Sequence, residues 1–417
     1  MGANGRSYPR PPVPAPTPSS SDDARAVLLT VSGPDRPGVT SSLMTWLLDS
    51  GAELGDVEQV VLRRHLALGV VASLPPGADL AGLRGMIEAM GLHLDVEEIP
   101  TAHSDHALGT IVTLLGRRIG PAQFGAVATA VAEAGGNIER IARLSQFPVV
   151  SYELAVGGVD VESLRSPLRA VALREGIDVA VDADGLGRRS RRLVVLDVDS
   201  TLIRDEIIEL LADEAGKGDE VADITRRAME GELDFEASLR ARVALLEGLD
   251  HAAMERARTR VRFTPGARTF VRTLHRLGFR VALVSGGFTF FTDRLAEDLG
   301  IDHAFANVLE VADGRLTGGL VGAVVDRARK AQLLREVAAE EGIALEQVVA
   351  VGDGANDLDM LAAAGLGIAF NAKPVVREVA EVSLSVPYLD AVLFLLGVRR
   401  SEIEAADHSL IDDPPLD

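Results

Sequence analysis

This 417-residue chain contains no cysteine, which excludes a disulfide framework, a thiolate metal site and a cysteine nucleophile. Aromatic side chains are scarce at 4% against 47% hydrophobic residues overall, so any core must be packed mainly with aliphatic groups. Positive charge is also short. Lys and Arg number 42 against 62 Asp and Glu, a formal net charge of −20, and that balance argues against nucleic acid as a general partner. No apolar run reaches the roughly 18 residues a membrane-spanning helix needs, and Ala391–Val398 reads as a core helix segment instead. The N-terminus lacks the charged-then-apolar pattern of a secretory signal. The expectation is a cytoplasmic enzyme with no membrane or nucleic-acid partner.

Length and patterning divide the chain. Residues 1–24 hold most of a Pro/Ser-rich tract, including Pro9-Arg-Pro-Pro-Val-Pro-Ala-Pro16, and are expected to be disordered. An internal repeat follows. In 25–100, strand-like Ala26–Val31 leads through the Gly33–Gly38 loop into a helix ending at Asp49. Leu54–Leu62 and Leu66–Leu74 alternate as strands, Ala78–Met90 reads as a helix and Leu92–Ile99 as a closing strand. The same β-α-β-β-α-β order recurs in 104–183, over Leu108–Leu115, Ala122–Ala134, Ile138–Leu144, Val149–Val156, Val161–Arg174 and Ile177–Val181. The cluster Arg188-Arg-Ser-Arg-Arg192 is expected to decorate a linker, a third domain to fill 190–402, and 403–417 to be a flexible tail.

That third domain is organised around Leu193-Val-Val-Leu-Asp-Val-Asp-Ser-Thr-Leu-Ile203. A short Val/Leu run reads as a buried parallel strand, and Asp197 and Asp199 stand at its carboxyl end, where open α/β sheets bind ligands. Alone, the pair also fits an Asx turn. Three later stations change that balance: Val281-Ala-Leu-Val-Ser-Gly-Gly-Phe288, a strand ending in a hydroxyl and two glycines; Lys330 at the head of a helical pattern; and Val348-Val-Ala-Val-Gly-Asp-Gly-Ala-Asn-Asp357. Glycines at a strand end let backbone N–H groups approach an anion. Between the first two stations, Asp205–Thr264 shows helical periodicity through Ile207, Ile208, Leu211 and Ala215, then Val221, Ile224 and Ala228, then Phe235, Leu239, Val243 and Leu246. A helical insert there would cover the strand ends as a cap.

In that order, the four stations resemble the haloacid dehalogenase superfamily of phosphohydrolases. Asp197-Val-Asp-Ser-Thr201, Ser285-Gly-Gly-Phe288, Ala304-Phe-Ala-Asn307 and Gly352-Asp-Gly-Ala-Asn-Asp357 are similar to its phosphoserine phosphatase family. The two repeats resemble ACT domains, amino-acid-sensing modules of biosynthetic enzymes, and Asp35-Arg-Pro-Gly-Val39 matches that family's strand-to-helix loop. The second copy has Arg117-Arg-Ile-Gly-Pro121 in its place. The resemblance implies an α/β chain: a Rossmann-like parallel sheet with a helical cap, preceded by two ferredoxin-like domains.

It further implies Mg²⁺-dependent hydrolysis of O-phospho-L-serine, the last step of serine biosynthesis. Asp197 would be the nucleophile and Asp199 the acid and then the base. Mg²⁺ would rest on the Asp197 and Asp353 carboxylates and the Asp199 carbonyl. Ser285, the Gly286 amide and Lys330 would bind phosphoryl oxygens, Asn356 would position phosphate or water, and Asp357 would support the metal or Lys330. Glu206 would face the substrate amine and Arg242 its carboxylate, with Met229 and Phe235 packing above. Asp35 and Gly38 would bind an amino-acid effector, serine, and a homodimer is expected. The alternatives are another small-phosphate hydrolase or phosphotransferase of the superfamily, or an amino-acid-sensing regulator with a vestigial catalytic domain.

Overall fold

The computed structural model describes residues 25–100, 109–229 and 232–408. The chain forms two compact units, divided after Asp105. The expected disordered tail, and Leu108 at the start of the second repeat, lie outside the described residues.

In the first unit, β1 (Arg25–Pro34), α1 (Val39–Asp49), β2 (Glu53–Leu62), β3 (His65–Leu74), α2 (Leu80–Ala89) and β4 (His93–Glu98) follow the expected order. The antiparallel sheet runs β2-β3-β1-β4. Leu43 and Leu47 of α1 and Leu83 and Ile87 of α2 pack with Val27, Leu29 and Val31 of β1, the periods 3.6 and 2 meeting in one core. Asp79 caps α2 by accepting from the Gly82 N–H at 2.9 Å. One element departs from expectation. β2 alternates in sequence, yet every residue of it is exposed, including Leu54, Val60 and Leu62. It is an edge strand that α1 only touches, through the Thr40 hydroxyl donating to Gln59 at 2.7 Å.

The second unit opens with the second repeat: β5 (Thr110–Gly116), α3 (Pro121–Glu133), β6 (Asn137–Ser145), β7 (Val150–Gly157), α4 (Val161–Glu175) and β8 (Asp178–Ala183). Its strand order, β6-β7-β5-β8, repeats that of the first. α5 (Leu186–Arg189) then leads to β9 (Leu193–Leu196), the middle strand of a seven-stranded sheet. Four helices follow, α6 (Ile207–Ala215), α7 (Gly218–Met229), α8 (Phe235–Ala244) and α9 (His251–Thr259), then α10 (Ala267–Arg276) and β10 (Arg280–Phe288). Next are α11 (Thr289–Leu299), β11 (His303–Ala312), β12 (Arg315–Val321), α12 (Arg327–Glu340) and β13 (Val348–Gly352). The chain closes with α13 (Leu358–Ala363), β14 (Leu366–Phe370), α14 (Pro374–Val379), β15 (Val382–Leu384), α15 (Val392–Leu395) and α16 (Arg400–His408).

The sheet order is β12-β11-β10-β9-β13-β14-β15, parallel except for the β11–β12 hairpin. β9 is buried on both sides. Val194 and Leu196 enter one core, with Phe270 and Leu274 of α10 and Phe291 of α11. Leu193 and Val195 enter the other, with Leu334 and Val337 of α12 and Met360 of α13. This accounts for the unbroken apolar run: no face of the strand meets water. The strand order reverses on either side of β9, so the crevice beyond its carboxyl end is the topological switch point. Ala391–Leu395 is buried, as expected of a core segment.

The arginine cluster before β9 corrects the sequence reading. Arg188 and Arg191 do not decorate a linker: their side chains are only 10% and 4% exposed. Arg188 reaches Glu153 of β7 at 2.8 Å and the Leu395 carbonyl at 3.2 Å, and Arg191 reaches Asp182 of β8 at 2.6 Å. The chain folds back so that the second ferredoxin-like domain supplies the carboxylates, and buried guanidinium groups require such partners. The same junction carries Asp178, which accepts from the Ser385 N–H and hydroxyl at 2.8 and 2.9 Å. Residues 403–408, expected to begin a flexible tail, belong to α16, where Asp407 accepts from Arg272 and Arg276 at 2.6 Å each. Residues 409–417 lie outside the described set.

Candidate active site

Beyond β9 the backbone turns sharply. Asp197 keeps an extended conformation and donates its N–H to the Val351 carbonyl at 2.9 Å, and Ser200 takes a left-handed φ of 57°. The insert leaves and returns at one point. The Arg204 N–H donates to the Arg262 carbonyl at 2.9 Å, the Thr264 N–H to the Leu202 carbonyl at 3.0 Å, and Asp205 accepts from the Arg262 N–H at 2.7 Å. The insert is also tied to β12, where the Gly248 N–H donates to the Leu316 carbonyl at 2.9 Å and the Leu316 N–H to the Leu249 carbonyl at 2.8 Å.

A cavity of about 700 Å³ lies between the insert and the strand ends. Asp197, Asp199, Glu206, Arg242, Gly286, Asp353 and Asn356 line it, with Phe235 and Leu239 as apolar wall. Residues from four separate stretches of sequence therefore meet at one place. Ser285 is fully buried and, like Lys330, does not line the cavity; its hydroxyl accepts from the Gly287 N–H at 2.8 Å and donates to Asp199 Oδ2 at 3.3 Å. Gly287 has no room for a side chain: a Cβ would stand 2.9 Å from that Asp199 oxygen and 3.0 Å from Ser285 Oγ. The Phe235 ring rests against Gly286, where a Cβ would come within 3.3 Å of it. The side chain of Met229 and residues 230–231 lie outside the described residues.

Lys330 does not line the cavity. It is wholly buried behind Asp197, donating to Asp197 Oδ1 at 2.6 Å and to Asp357 Oδ1 at 2.7 Å. Burial pulls its ammonium group down, but the two carboxylates outweigh that and hold it above its ordinary value. Asp357 also accepts from the Gly354 N–H at 2.9 Å, fixing the loop after β13. Burial, reinforced by the Asp357 charge, pushes the Asp197 carboxyl well above the usual range, against the pull of Lys330. Burial and then the neighbouring Glu206 charge raise Asp199 to about 7, opposed by the Ile207 N–H, which donates to it at 2.8 Å. Asp353 is also pushed to about 7, by burial and then by Asp357 and Glu206, with Lys373 and Lys330 opposing.

Carboxylate oxygens of Asp197, Asp353 and Asp357 lie within 4.8 Å of one another. This is an all-oxygen donor set of mutually repelling acids, and it fits a hard divalent cation. Asp199, expected to contribute its main-chain carbonyl, is not among these side-chain donors. Glu206 accepts from the Ser200 hydroxyl at 2.8 Å. Arg242 is half-buried, its Nε donating to the Ser238 carbonyl at 3.3 Å. Burial draws its guanidinium below its ordinary value, while Glu206, Asp199 and Glu209 favour its charge.

Two contributors escaped the sequence reading, and a third, Asn307, stood in a family motif there with no role given. Glu209 and Lys373 line the cavity. Asn307, buried at 2%, donates to the Gly286 and Gly287 carbonyls at 2.8 and 3.3 Å and accepts from the Val325 N–H at 2.8 Å, bracing the glycine turn. Its place in Ala304-Phe-Ala-Asn307 was the signal for it. In the first unit, Asp35 and Gly38 are exposed; Gly38 stands before α1 with φ 96°, and the Asp35 N–H donates to the Arg64 carbonyl at 2.8 Å.

A strand-end carboxylate pair beneath a helical insert, on a mostly parallel sheet, defines a haloacid dehalogenase-like hydrolase, and the family model of that description matches residues 194–362. ACT domain models match residues 25–97 and 106–182. Over 400 residues the chain is 52% identical to a phosphoserine phosphatase of Streptomyces coelicolor, covering 95% of this chain and 97% of that one. It is 51% identical over 394 residues to a phosphoserine phosphatase of Mycobacterium tuberculosis, covering 92% and 95%. A crystal structure of a probable phosphoserine phosphatase from Vibrio cholerae, unliganded, superposes with a TM-score of 0.56 at 35% identity, covering 72% of this chain and 89% of that one. The chain belongs to the phosphoserine phosphatase family and carries two N-terminal ACT domains.

Proposed function

We propose that this enzyme hydrolyses O-phospho-L-serine to L-serine and phosphate through an aspartyl-phosphate on Asp197. The observation that carries the reading is that Asp197, Asp199, Glu206 and Arg242 line one cavity. Lys330 engages Oδ1 of Asp197, so Oδ2 is the attacking atom. As the Oδ2–phosphorus bond forms, the ester P–O bond breaks and its electrons pass to the seryl oxygen, which takes the Asp199 proton. Asp199 then removes a proton from a water whose oxygen bonds phosphorus as the Asp197 Oδ2–phosphorus bond breaks, which releases phosphate and regenerates the Asp197 carboxylate. A carboxyl raised to about 7 suits both tasks near neutrality. Ser285 and the Gly286 N–H bind phosphoryl oxygens, and Asn356 positions phosphate or water. Lys330 holds the nucleophile in place, with Asp357 behind it.

The acidic cluster would hold Mg²⁺ through Asp197 and Asp353, with the Asp199 carbonyl, and Asp357 beside them. When bound, the ion supplies positive charge that lowers repulsion between the carboxylates and the phosphoryl oxygens. Arg242 grips the substrate carboxylate, and Glu206 the amine.

On this reading the enzyme acts in the cytoplasm, in keeping with its family's place in amino-acid biosynthesis. It is a homodimer; the exposed edge strand β2 supports that assembly. The ACT domains bind an amino acid, serine, around Asp35 and Gly38, where the helix N-terminus and a glycine suit a carboxylate. The test is phosphate release from phosphoserine, phosphothreonine and sugar phosphates with and without Mg²⁺. Phosphoserine should be the preferred substrate and chelation should abolish turnover. A preference for a sugar phosphate, or no turnover of any phosphate, refutes the proposal.

A further inference from the structure

Five carboxylates line the catalytic cavity, from Asp197, Asp199, Glu206, Glu209 and Asp353. A phosphomonoester brings two more negative charges into this field, so the placement of positive charge decides whether it enters. Lys330 is fully buried and shared between Asp197 and Asp357. Among the described residues lining the cavity, the cations are Arg242 and Lys373. Arg242 stands on the insert beside Glu206 and Glu209, whose charges favour its own. Lys373 is exposed, on the opposite wall beside Asp353 and the loop after β13, and its N–H donates to the Asp353 carbonyl at 3.4 Å.

The backbone of Lys373 is held from both ends. It caps α14, and its carbonyl accepts from the Val376 and Arg377 N–H groups at 2.9 and 3.1 Å. At the far end of the same six-residue helix, Arg169 of α4 donates to the Arg377 carbonyl at 3.0 Å and also to that of Glu378. Just beyond, Arg165 of α4 pairs with Glu381 at 2.9 Å. A helix of one and a half turns, tied at one end to the second ACT domain and at the other to the catalytic loop, moves as a single piece. Hydrogen bonds thus run without a break from Arg169 through Arg377 to Lys373.

We propose that Lys373 is the cation that draws the substrate phosphoryl group into the site, and that Arg169 of the second ACT domain is a positioning residue acting on it through α14. The second ACT domain is then a working part of the catalytic wall, whatever effector the pair binds. The proposal rests on the phosphomonoesterase reading above.

The test is steady-state kinetics of the full-length enzyme with two substrates, phosphoserine and p-nitrophenyl phosphate. Lys373→Met should raise KM roughly five- to tenfold for both, since both present the same phosphoryl group, with kcat within twofold. Lys373→Arg should restore most of the loss. Added salt should raise KM more steeply for the native enzyme than for Lys373→Met, because an exposed charge is screened. Arg169→Ala should raise KM about threefold, and the double variant Lys373→Met/Arg169→Ala should match Lys373→Met alone. Arg169→Met, which keeps the chain length but removes the donor, replaces Arg169→Ala if that variant fails to fold. A KM within twofold of native in Lys373→Met, or a fall in kcat with KM unmoved, overturns the recruiting role. Losses that multiply in the double variant overturn the coupling through α14. A native enzyme that turns over the aryl phosphate but not phosphoserine refutes the substrate assignment while leaving Lys373 testable on the aryl ester.

Discussion

Replacing Lys330 by Met tests the energetics on which the site depends. The ammonium is fully buried, with one carboxylate at 2.6 Å and another at 2.7 Å. Removing one partner of such a group leaves buried charge uncompensated, at a cost of about 3–5 kcal/mol. At about 2–4 °C per kcal/mol for a domain of this order of size, Tm should fall by roughly 6–20 °C. The cost should depend on pH in a definite direction. The folded-state value of Lys330 is raised, so its own stabilisation is complete below its ordinary value and is lost only as pH climbs through the higher one. Between pH 5 and 8, roughly, that contribution is constant. The change comes from Asp197, raised by burial and, without Lys330, raised further. A raised carboxyl favours the folded state where it is protonated and loses that contribution as pH rises through its folded value. The deficit of Lys330→Met should therefore be largest near pH 8 and shrink toward pH 5. The assay is denaturant and thermal unfolding in chelator, so that no other cation balances the acids. Lys330→Met/Asp357→Asn should recover part of the loss. A deficit below about 1 kcal/mol at pH 8, the range of a solvated surface pair, would refute the picture of a desolvated triad.

Other consequences are equally direct. Asp197→Asn should form no phosphoenzyme, and a fluoroberyllate phosphate mimic should be found on Asp197; an active Asp197→Asn enzyme would remove it as nucleophile. With Asp199 near 7, rapid-quench measurements should show phosphorylation slowing as pH rises through that value and dephosphorylation slowing as pH falls through it. Arg242→Ala should cost phosphoserine about 2–4 kcal/mol in kcat/KM, roughly 30- to 1000-fold, and spare p-nitrophenyl phosphate; equal losses would mean that Arg242 supports only the insert. Gly287→Ala should depress turnover while the protein stays folded, since the added methyl meets the Asp199 and Ser285 oxygens. Inhibition by serine should weaken in Gly38→Val and in a chain beginning at His106; one competitive constant for all three proteins would assign the effect to the active site alone. The cut belongs at 106 rather than after Gly185, because Arg188 and Arg191 tie the second ACT domain to the catalytic one.

The sequence alone carried the catalytic motifs and the order of the elements. Asp197, Asp199, Ser285 and Asp353 each close or directly follow an apolar strand, and a strand end in an α/β sheet is fixed by local pattern and topology together. The β-α-β-β-α-β repeat was readable for the same reason, since helical and strand periods alternate along it. What one dimension could not show was which charges share a space. Lys330 is expected at the phosphoryl oxygens with Asp357 in support, and only the packing of α12 under β9 shows it fully buried as a bridge between Asp197 and Asp357. Arg188 and Arg191 read as linker charge until β7 and β8 bring Glu153 and Asp182 against them. Lys373 had no motif at all and joins the site because β14 ends beside β13. Periodicity records whether a residue faces water or core. Partner identity between residues distant in sequence depends on how separate elements pack, and tertiary structure alone decides it.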